Sequence, residues 1–178
     1  MLYNSKLFEI HTISEKDAWS ICDFVAANED RLKRYFPLTL EQNLTPDLAQ
    51  LFVTKKAKEY NAKKKFLFIL KPDNSKKIIG LIYLKALNWN TKQAEFAYAI
   101  DYNFEGKGII SKSIKFLSQY AFQELKLETL QIIVHHTNIA SIKVAENCKF
   151  TWIKTLEKEH TPPGENPLDM ELYEFYKP

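Results

Sequence analysis

The alternation of apolar and polar positions changes period several times along this chain, and each change falls at a recognisable turn or cap. Residues 6–13 read as a first strand, after which Ser14-Glu15-Lys16-Asp17 has the form of a capping box. Trp19, Ile21, Cys22 and Val25 follow as apolar positions of a helix to about Asn28. Residues 29–38, with Arg31, Arg34, Tyr35, Phe36 and Pro37, predict a short helix and a loop. Thr45-Pro46-Asp47 starts another helix, with proline at its first position, that runs to about residue 62. Phe66–Leu70 and Ile78–Leu87 predict two strands joined by a turn at Pro72-Asp73-Asn74-Ser75. A turn at Asn88-Trp89-Asn90-Thr91 leads into a strand over 93–101.

The centre of the chain carries the strongest pattern. Ile110, Ile114, Leu117, Ala121 and Leu125 recur every three or four residues and define one apolar helix face. Leu130-Gln131-Ile132-Ile133-Val134 is a compact apolar run, as expected of a strand buried on both faces. Strand, crossover helix and strand imply a parallel pair, whereas the short turns earlier imply antiparallel neighbours. A second helix from Asn138 to about Asn147 leads to strands over 150–159 and 168–176, linked by Thr161-Pro162-Pro163-Gly164. The expected fold is α/β: one domain over 1–178, with a mixed, mostly antiparallel sheet, one central parallel pair and helices on both faces.

The strand over 93–101 and the helix after it are joined by Asn103-Phe104-Glu105-Gly106-Lys107-Gly108, which holds two of only four glycines in 178 residues. Glycine permits positive φ and lets a ligand approach the backbone. A strand, a glycine turn and a helix start together offer unpaired N–H groups at the positive end of the helix dipole, a geometry that binds phosphate or pyrophosphate. The same turn without a ligand would simply be a tight strand-to-helix connection. It is neither a Rossmann fingerprint, lacking the third glycine, nor a Walker loop, lacking Gly-Lys-Ser/Thr.

Composition narrows the classes of function. A length of one domain, 46% hydrophobic and 26% charged residues predict a soluble globular protein. A formal charge of +3 is too small to argue for nucleic acid, and no stretch reaches membrane-spanning length. Cys22 and Cys148 are isolated, which predicts neither a disulfide framework nor a metal site, and a cytoplasmic location is expected.

In order and spacing, nearly the whole chain resembles the GNAT acetyltransferase superfamily, specifically its ribosomal-protein N-acetyltransferase branch. The family carries a Gln/Arg-x-x-Gly-x-Gly/Ala turn, here residues 103–108 with asparagine in the first position. By resemblance, the backbone amides of Phe104, Glu105, Gly106, Lys107, Gly108 and Ile109 would hold the pyrophosphate of acetyl-CoA, without a metal. Asn138 and Ser141, with Glu146 and Phe150 downstream, resemble the branch's Asn-x-x-Ser-x-x-x-x-Glu-x-x-Gly-Phe segment, except that Lys149 stands in the glycine position. That position caps the helix, so strain or a changed cap is expected. Ala145 stands where many members carry a proton-donating tyrosine, and in this branch a serine in the position of Ser141 is the proposed substitute. Ala94-Glu95-Phe96-Ala97-Tyr98 resembles the branch's Ala-Glu-Ile-Gly-Tyr strand, and Asp169 to Tyr173 its final strand.

Acetyl transfer to an amine needs a neutral amine, a donor for the oxyanion and a proton for the leaving thiolate. Glu95 is the candidate base, expected on the same strand face as Ala97 and Ala99; a solvent-facing strand glutamate is the plain alternative. Ser141 is the candidate proton donor or CoA contact and Asn138 a pantetheine or water contact, although both also suit a helix start. Tyr35, Trp89, Tyr98 and Tyr173 are candidate acceptor contacts, with core packing the alternative for Tyr98 and Tyr173, and the Arg31–Pro37 segment lies on the expected acceptor side. Adjacent His135 and His136 would point to opposite strand faces and so could not share a metal. The expected activity is acetyl-CoA-dependent N-acetylation of a primary amine, such as a protein N-terminus, by a monomer or homodimer. The alternatives are a small-molecule acceptor, such as a polyamine or aminoglycoside, and a non-catalytic acyl-CoA-binding module.

Overall fold

The computed structural model describes residues 1–178 and contains six α-helices and eight strands. The strands form one sheet in the order β1-β2-β3-β4-β5-β6-β8-β7. β5 (Gln93–Ile100) and β6 (Thr129–Val134) are parallel, whereas β1–β2, β2–β3, β6–β8 and β7–β8 are antiparallel. This is the mixed, mostly antiparallel sheet with one parallel pair expected from the sequence. The chain folds into two compact units, one of Met1–Tyr83 and Tyr98–Lys107, the other of Leu84–Ala97 and Gly108–Pro178. β4 (Gly80–Asn88) and β5 contribute residues to both.

In the first unit the expected strand over 6–13 is shortened to β2 (Glu9–Thr12), and a separate short strand, β1 (Tyr3–Asn4), precedes it. The Ser5 hydroxyl donates to the Phe8 carbonyl at 3.0 Å and accepts the Phe8 N–H at 3.2 Å, so residues 5–8 turn and pairing resumes only at Glu9. The capping box forms as read: Asp17 accepts from the Ser14 N–H at 2.8 Å, and Lys71 of β3 (Phe66–Lys71) pairs with it at 2.7 Å. A 3-10 turn over Glu15–Asp17 delays α1 to Ala18–Ala27, so that Ala18, Ile21, Phe24 and Val25 face inward. Trp19 lies outside that stripe and is 69% exposed, not part of the core. α2 (Glu29–Tyr35) and α3 (Pro37–Glu41) follow, and α4 (Pro46–Asn61) begins where Thr45 accepts the Leu48 N–H at 3.3 Å.

In the second unit α5 (Ile109–Gln123) buries Ile110, Ile114, Leu117 and Ala121, with Leu125 just beyond its end, as the periodicity requires. Each buried Ile or Leu there contributes about 1.5–3 kcal/mol relative to exposure. β6 is not buried on both faces. Leu130, Ile132 and Val134 are buried, but Gln131 and Ile133 are half-buried. On that second face Gln131 donates to Glu174 of β8 (Leu168–Tyr176) at 2.6 Å and accepts from Gln93 at 3.0 Å. A polar row can be satisfied there without solvent covering it fully, which is why an apolar run misleads about burial. β7 (Thr151–His160) is the exposed edge strand.

α6 (Ile139–Asn147) ends in a Schellman motif: the Phe150 N–H reaches the Ala145 carbonyl and the Lys149 N–H the Glu146 carbonyl, both at 3.0 Å. Lys149 adopts the left-handed conformation at φ +68°, so the cap is kept and the strain accepted. A left-handed residue with a Cβ costs about 1–2 kcal/mol. Lys149→Gly is therefore expected to raise unfolding stability by about 1 kcal/mol, seen as a higher urea midpoint at unchanged slope.

Candidate active site

The turn after β5 is organised by Asp101. Its Oδ1 accepts the Asn103 N–H at 2.9 Å and the Asn103 side-chain amide at 3.0 Å, and Lys77 approaches its Oδ2 at 3.5 Å. Burial pushes the Asp101 carboxyl up, but the two Asn103 donors and Lys77 outweigh it and hold the group below its ordinary value. A 3-10 turn over Tyr102–Phe104 results. Phe104 donates its N–H to the Asp101 carbonyl at 2.9 Å, and the Glu105 N–H reaches the Tyr102 carbonyl at 3.4 Å. These two amides, expected to face a pyrophosphate, are thus already engaged by the turn itself.

The free donors begin one step later. The N–H groups of Gly106, Lys107 and Gly108 make no backbone hydrogen bond, and the first bond closing α5 runs from Lys112 to the Gly108 carbonyl at 3.0 Å. By helix geometry, the N–H groups of Ile109, Ile110 and Ser111 precede that first bond and point out of the helix start. Gly106 and Gly108 have φ of +69° and +71°, and a Cβ on either would meet no atom within 4 Å. Open space, unpaired donors and the positive end of a 15-residue helix fit a pyrophosphate.

Glu95 is half-buried on β5, its side chain 13% exposed, and Lys85 of β4 binds its Oε1 at 2.8 Å. Register places it opposite Gln131, on the face of the Gln93–Gln131–Glu174 row. The alternation slips further along: Ala94, Phe96 and Ala99 are buried, whereas Ala97 and Tyr98 are both half-buried.

Asn138 caps α6, its Oδ1 accepting the Ser141 N–H at 3.1 Å. The capping role assigned from sequence is present, and the half-buried Ser141 lies in the first turn of the helix. Phe175 of β8 packs on Phe122 of α5 at 5.3 Å, and two residues away Tyr173 is 8% exposed and opposite Ile132. Tyr173 thus belongs to the α5 face, away from Glu95. Burial, with the charges of Glu146 and Glu171, pushes its hydroxyl up. Tyr35 and Tyr98 are half-buried in the first unit, the Arg34 guanidinium lying 5.4 Å from the Tyr35 ring centre, while Trp89 is 44% exposed in its turn.

The His135–His136 reading needs correction. β6 ends at Val134, so strand alternation no longer applies, and the two rings lie 4.3 Å apart. They still form no metal cluster, because no group of three His, Cys, Asp or Glu side chains converges anywhere in the chain. No helix is long and apolar enough to cross a membrane. Sequence reasoning missed Asp101, Lys77 and Lys85. An Asp two residues before an Asn at a strand end is the local signal that identifies Asp101 as an Asx turn.

The pattern of the family described as "Acetyltransferase (GNAT) domain" matches residues 8–151. The chain belongs to the GNAT acetyltransferase family. It is accordingly an enzyme, an N-acetyltransferase. YdaF of Bacillus subtilis (strain 168), assigned as a ribosomal N-acetyltransferase, is 28% identical over 141 residues, 79% of this chain and 76% of that protein. The spermidine N(1)-acetyltransferase of Escherichia coli (strain K12) is 30% identical over 84 residues, 47% of this chain and 44% of the relative. Among solved structures, the ribosomal-protein-S5-alanine acetyltransferase of Vibrio fischeri superposes with a TM-score of 0.90 at 19% identity, covering 99% of this chain and 98% of that one. RimL, a ribosomal L7/L12 α-N-protein acetyltransferase solved with coenzyme A, gives 0.88 at 19% identity, with 98% and 97% covered. These two likenesses show that the GNAT fold extends over the whole chain.

Proposed function

We propose that this GNAT enzyme acts in the cytoplasm, transferring the acetyl group of acetyl-CoA to a primary amine by direct attack in a ternary complex, and that the acceptor is a protein N-terminal α-amine. The observation that carries the cofactor reading is the run of unpaired N–H groups from Gly106 into the first turn of α5, open to a ligand at both glycines. The acceptor reading draws on the ribosomal-protein relatives and on acidity. An α-amine with a pKa of about 8 is partly neutral at pH 7, whereas a lysine at about 10.4 is almost wholly ammonium.

Bound acetyl-CoA supplies the acyl group as a thioester. Gly106 to Ser111 hold its pyrophosphate through backbone N–H groups. As the amine nitrogen bonds to the carbonyl carbon and the C–S bond breaks, Glu95 takes the amine proton and Ser141 gives a proton to the departing thiolate. α6 packs with α5 and β6, and Phe175, whose face is opposite to that of Glu95, packs on α5. Glu95 and α6 therefore lie on opposite faces of the sheet. The Lys85–Glu95 ion pair favours a second role for Glu95, positioning in place of proton removal. Ser141→Ala is expected to lower turnover roughly tenfold, below the usual ~10²–10⁴-fold because water can replace a hydroxyl. CoA affinity should change less, read by single-turnover kinetics beside calorimetry.

A polyamine acceptor is the second reading, favoured by the spermidine acetyltransferase relative and by Glu95 and Glu174 sharing one half-buried face. Thiol release from acetyl-CoA separates the two. Peptides with free N-termini should be turned over with higher kcat/KM than spermidine or their N-blocked counterparts. Preference for spermidine would replace the first acceptor by the second.

A further inference from the structure

Arg31 of α2 reaches the β5–α5 turn from 69 to 74 residues away in sequence and binds it three ways. One Nη1 donates to the Ile100 carbonyl at 3.0 Å and to the Glu105 carboxylate at 2.5 Å, and the guanidinium lies 3.9 Å from the centre of the Tyr102 ring. Its side chain is 23% exposed, and its Nε is buried with no partner. Burial alone opposes the charge, but Glu105 and Tyr102 outweigh it and hold the guanidinium above its ordinary value.

The position of Glu105 is what makes this contact informative. It immediately precedes Gly106, the first residue whose N–H is free, and so sets a carboxylate beside a turn read as a receptor for a dianionic pyrophosphate. An unpaired negative charge there would repel the ligand the turn is shaped to bind. Paired with Arg31, the carboxylate is neutralised and also serves as a tether. Ile100, Tyr102 and Glu105 are thereby gripped at the strand end, within the 3-10 turn and at its exit, so that the free N–H groups follow a fixed segment. A lysine could supply the charge and the donors but not the flat surface that stacks on Tyr102.

We infer that Arg31 is a positioning residue for the cofactor turn, one that both fixes residues 100–105 and cancels the charge of Glu105 so that the adjoining amides can accept a pyrophosphate. This inference rests on the reading of that turn as the acetyl-CoA site.

The test measures CoA affinity by calorimetry, and acetyl-CoA KM and kcat at two salt concentrations, for wild type, Arg31→Ala, Arg31→Ala with Glu105→Gln, Arg31→Lys and Gly108→Val, each checked for folding by thermal unfolding. Arg31→Ala should weaken CoA roughly tenfold or more, as expected on removing a charge-assisted contact, and raise KM with little change in kcat. The double variant should recover a large part of that loss, and Arg31→Lys should lie between. The deficit of Arg31→Ala should shrink at high salt, because the uncompensated carboxylate is then screened. If Arg31→Ala binds CoA like wild type while Gly108→Val does not, the turn is the site and Arg31 does not position it. If the double variant binds no better than Arg31→Ala, the charge role is wrong. If neither Arg31→Ala nor Gly108→Val affects CoA, the reading of the turn itself has failed and the inference falls with it.

Discussion

Replacing Gly108 by valine is expected to lower CoA affinity by roughly a hundredfold or more, the loss of two or so hydrogen bonds to a charged group, while leaving a folded protein. Two effects combine. Gly108 sits at φ +71° as the N-cap of α5, so any side chain there carries left-handed strain. Beyond its chain neighbours a Cβ would meet nothing within 4 Å, so an added side chain projects into the open space that a ligand would occupy. Gly108→Ala separates the two effects. It carries the left-handed strain but little bulk, and should lose less stability than the β-branched valine and much less affinity. Calorimetry with CoA and thermal unfolding of both variants give the comparison, and equal CoA affinity in wild type and Gly108→Val would remove the turn from the site.

The second large effect concerns Glu95. If it removes the amine proton, Glu95→Gln should cut the rate by roughly 10²–10⁴-fold at pH below the amine pKa, with CoA affinity unchanged. As pH rises through about 8, more of an α-amine is already neutral, and the variant should approach wild type. The measurement is kcat against pH with a saturating acceptor. The ion pair with Lys85 makes the contrary outcome informative. A deficit that persists at all pH values means that the Lys85–Glu95 pair positions the acceptor without taking its proton. No deficit at any pH removes Glu95 from the mechanism.

Much of this fold was legible because local signals and tertiary packing agreed. The periodic face of α5, the proline start of α4 and the Asn138 cap each depend on neighbours within one or two turns, so the sequence carries them openly. The failures have physical causes of another kind. β6 looked buried on both faces because Ile133 is apolar, but Gln131 is satisfied by Gln93 and Glu174 from two other strands, a pairing no local window contains. The helix ends near residues 28, 62 and 147 were legible, even though this glycine-poor chain puts lysines in left-handed positions where glycine is the usual stop. Lys63, Lys126 and Lys149, just after helices, all have positive φ, and a lysine there gives no stop signal. At the site, the glycine turn was visible as a motif, but its free donors begin at Gly106 and not at Phe104, because Asp101 folds the preceding residues into a turn of their own. Arg31 lay in the segment assigned to the acceptor side, and its grip on the glycine turn becomes visible only when α2 is placed beside residues 100–105.

The most direct test of the account is a crystal structure of the protein with CoA bound. Pyrophosphate oxygens are expected within about 2.7–3.2 Å of backbone nitrogens between Gly106 and Ser111, without a metal ion between them. The thiol end should point toward Ser141, with Arg31 still paired to Glu105. A pyrophosphate held elsewhere, with the Gly106–Ser111 amides facing only solvent, would contradict it.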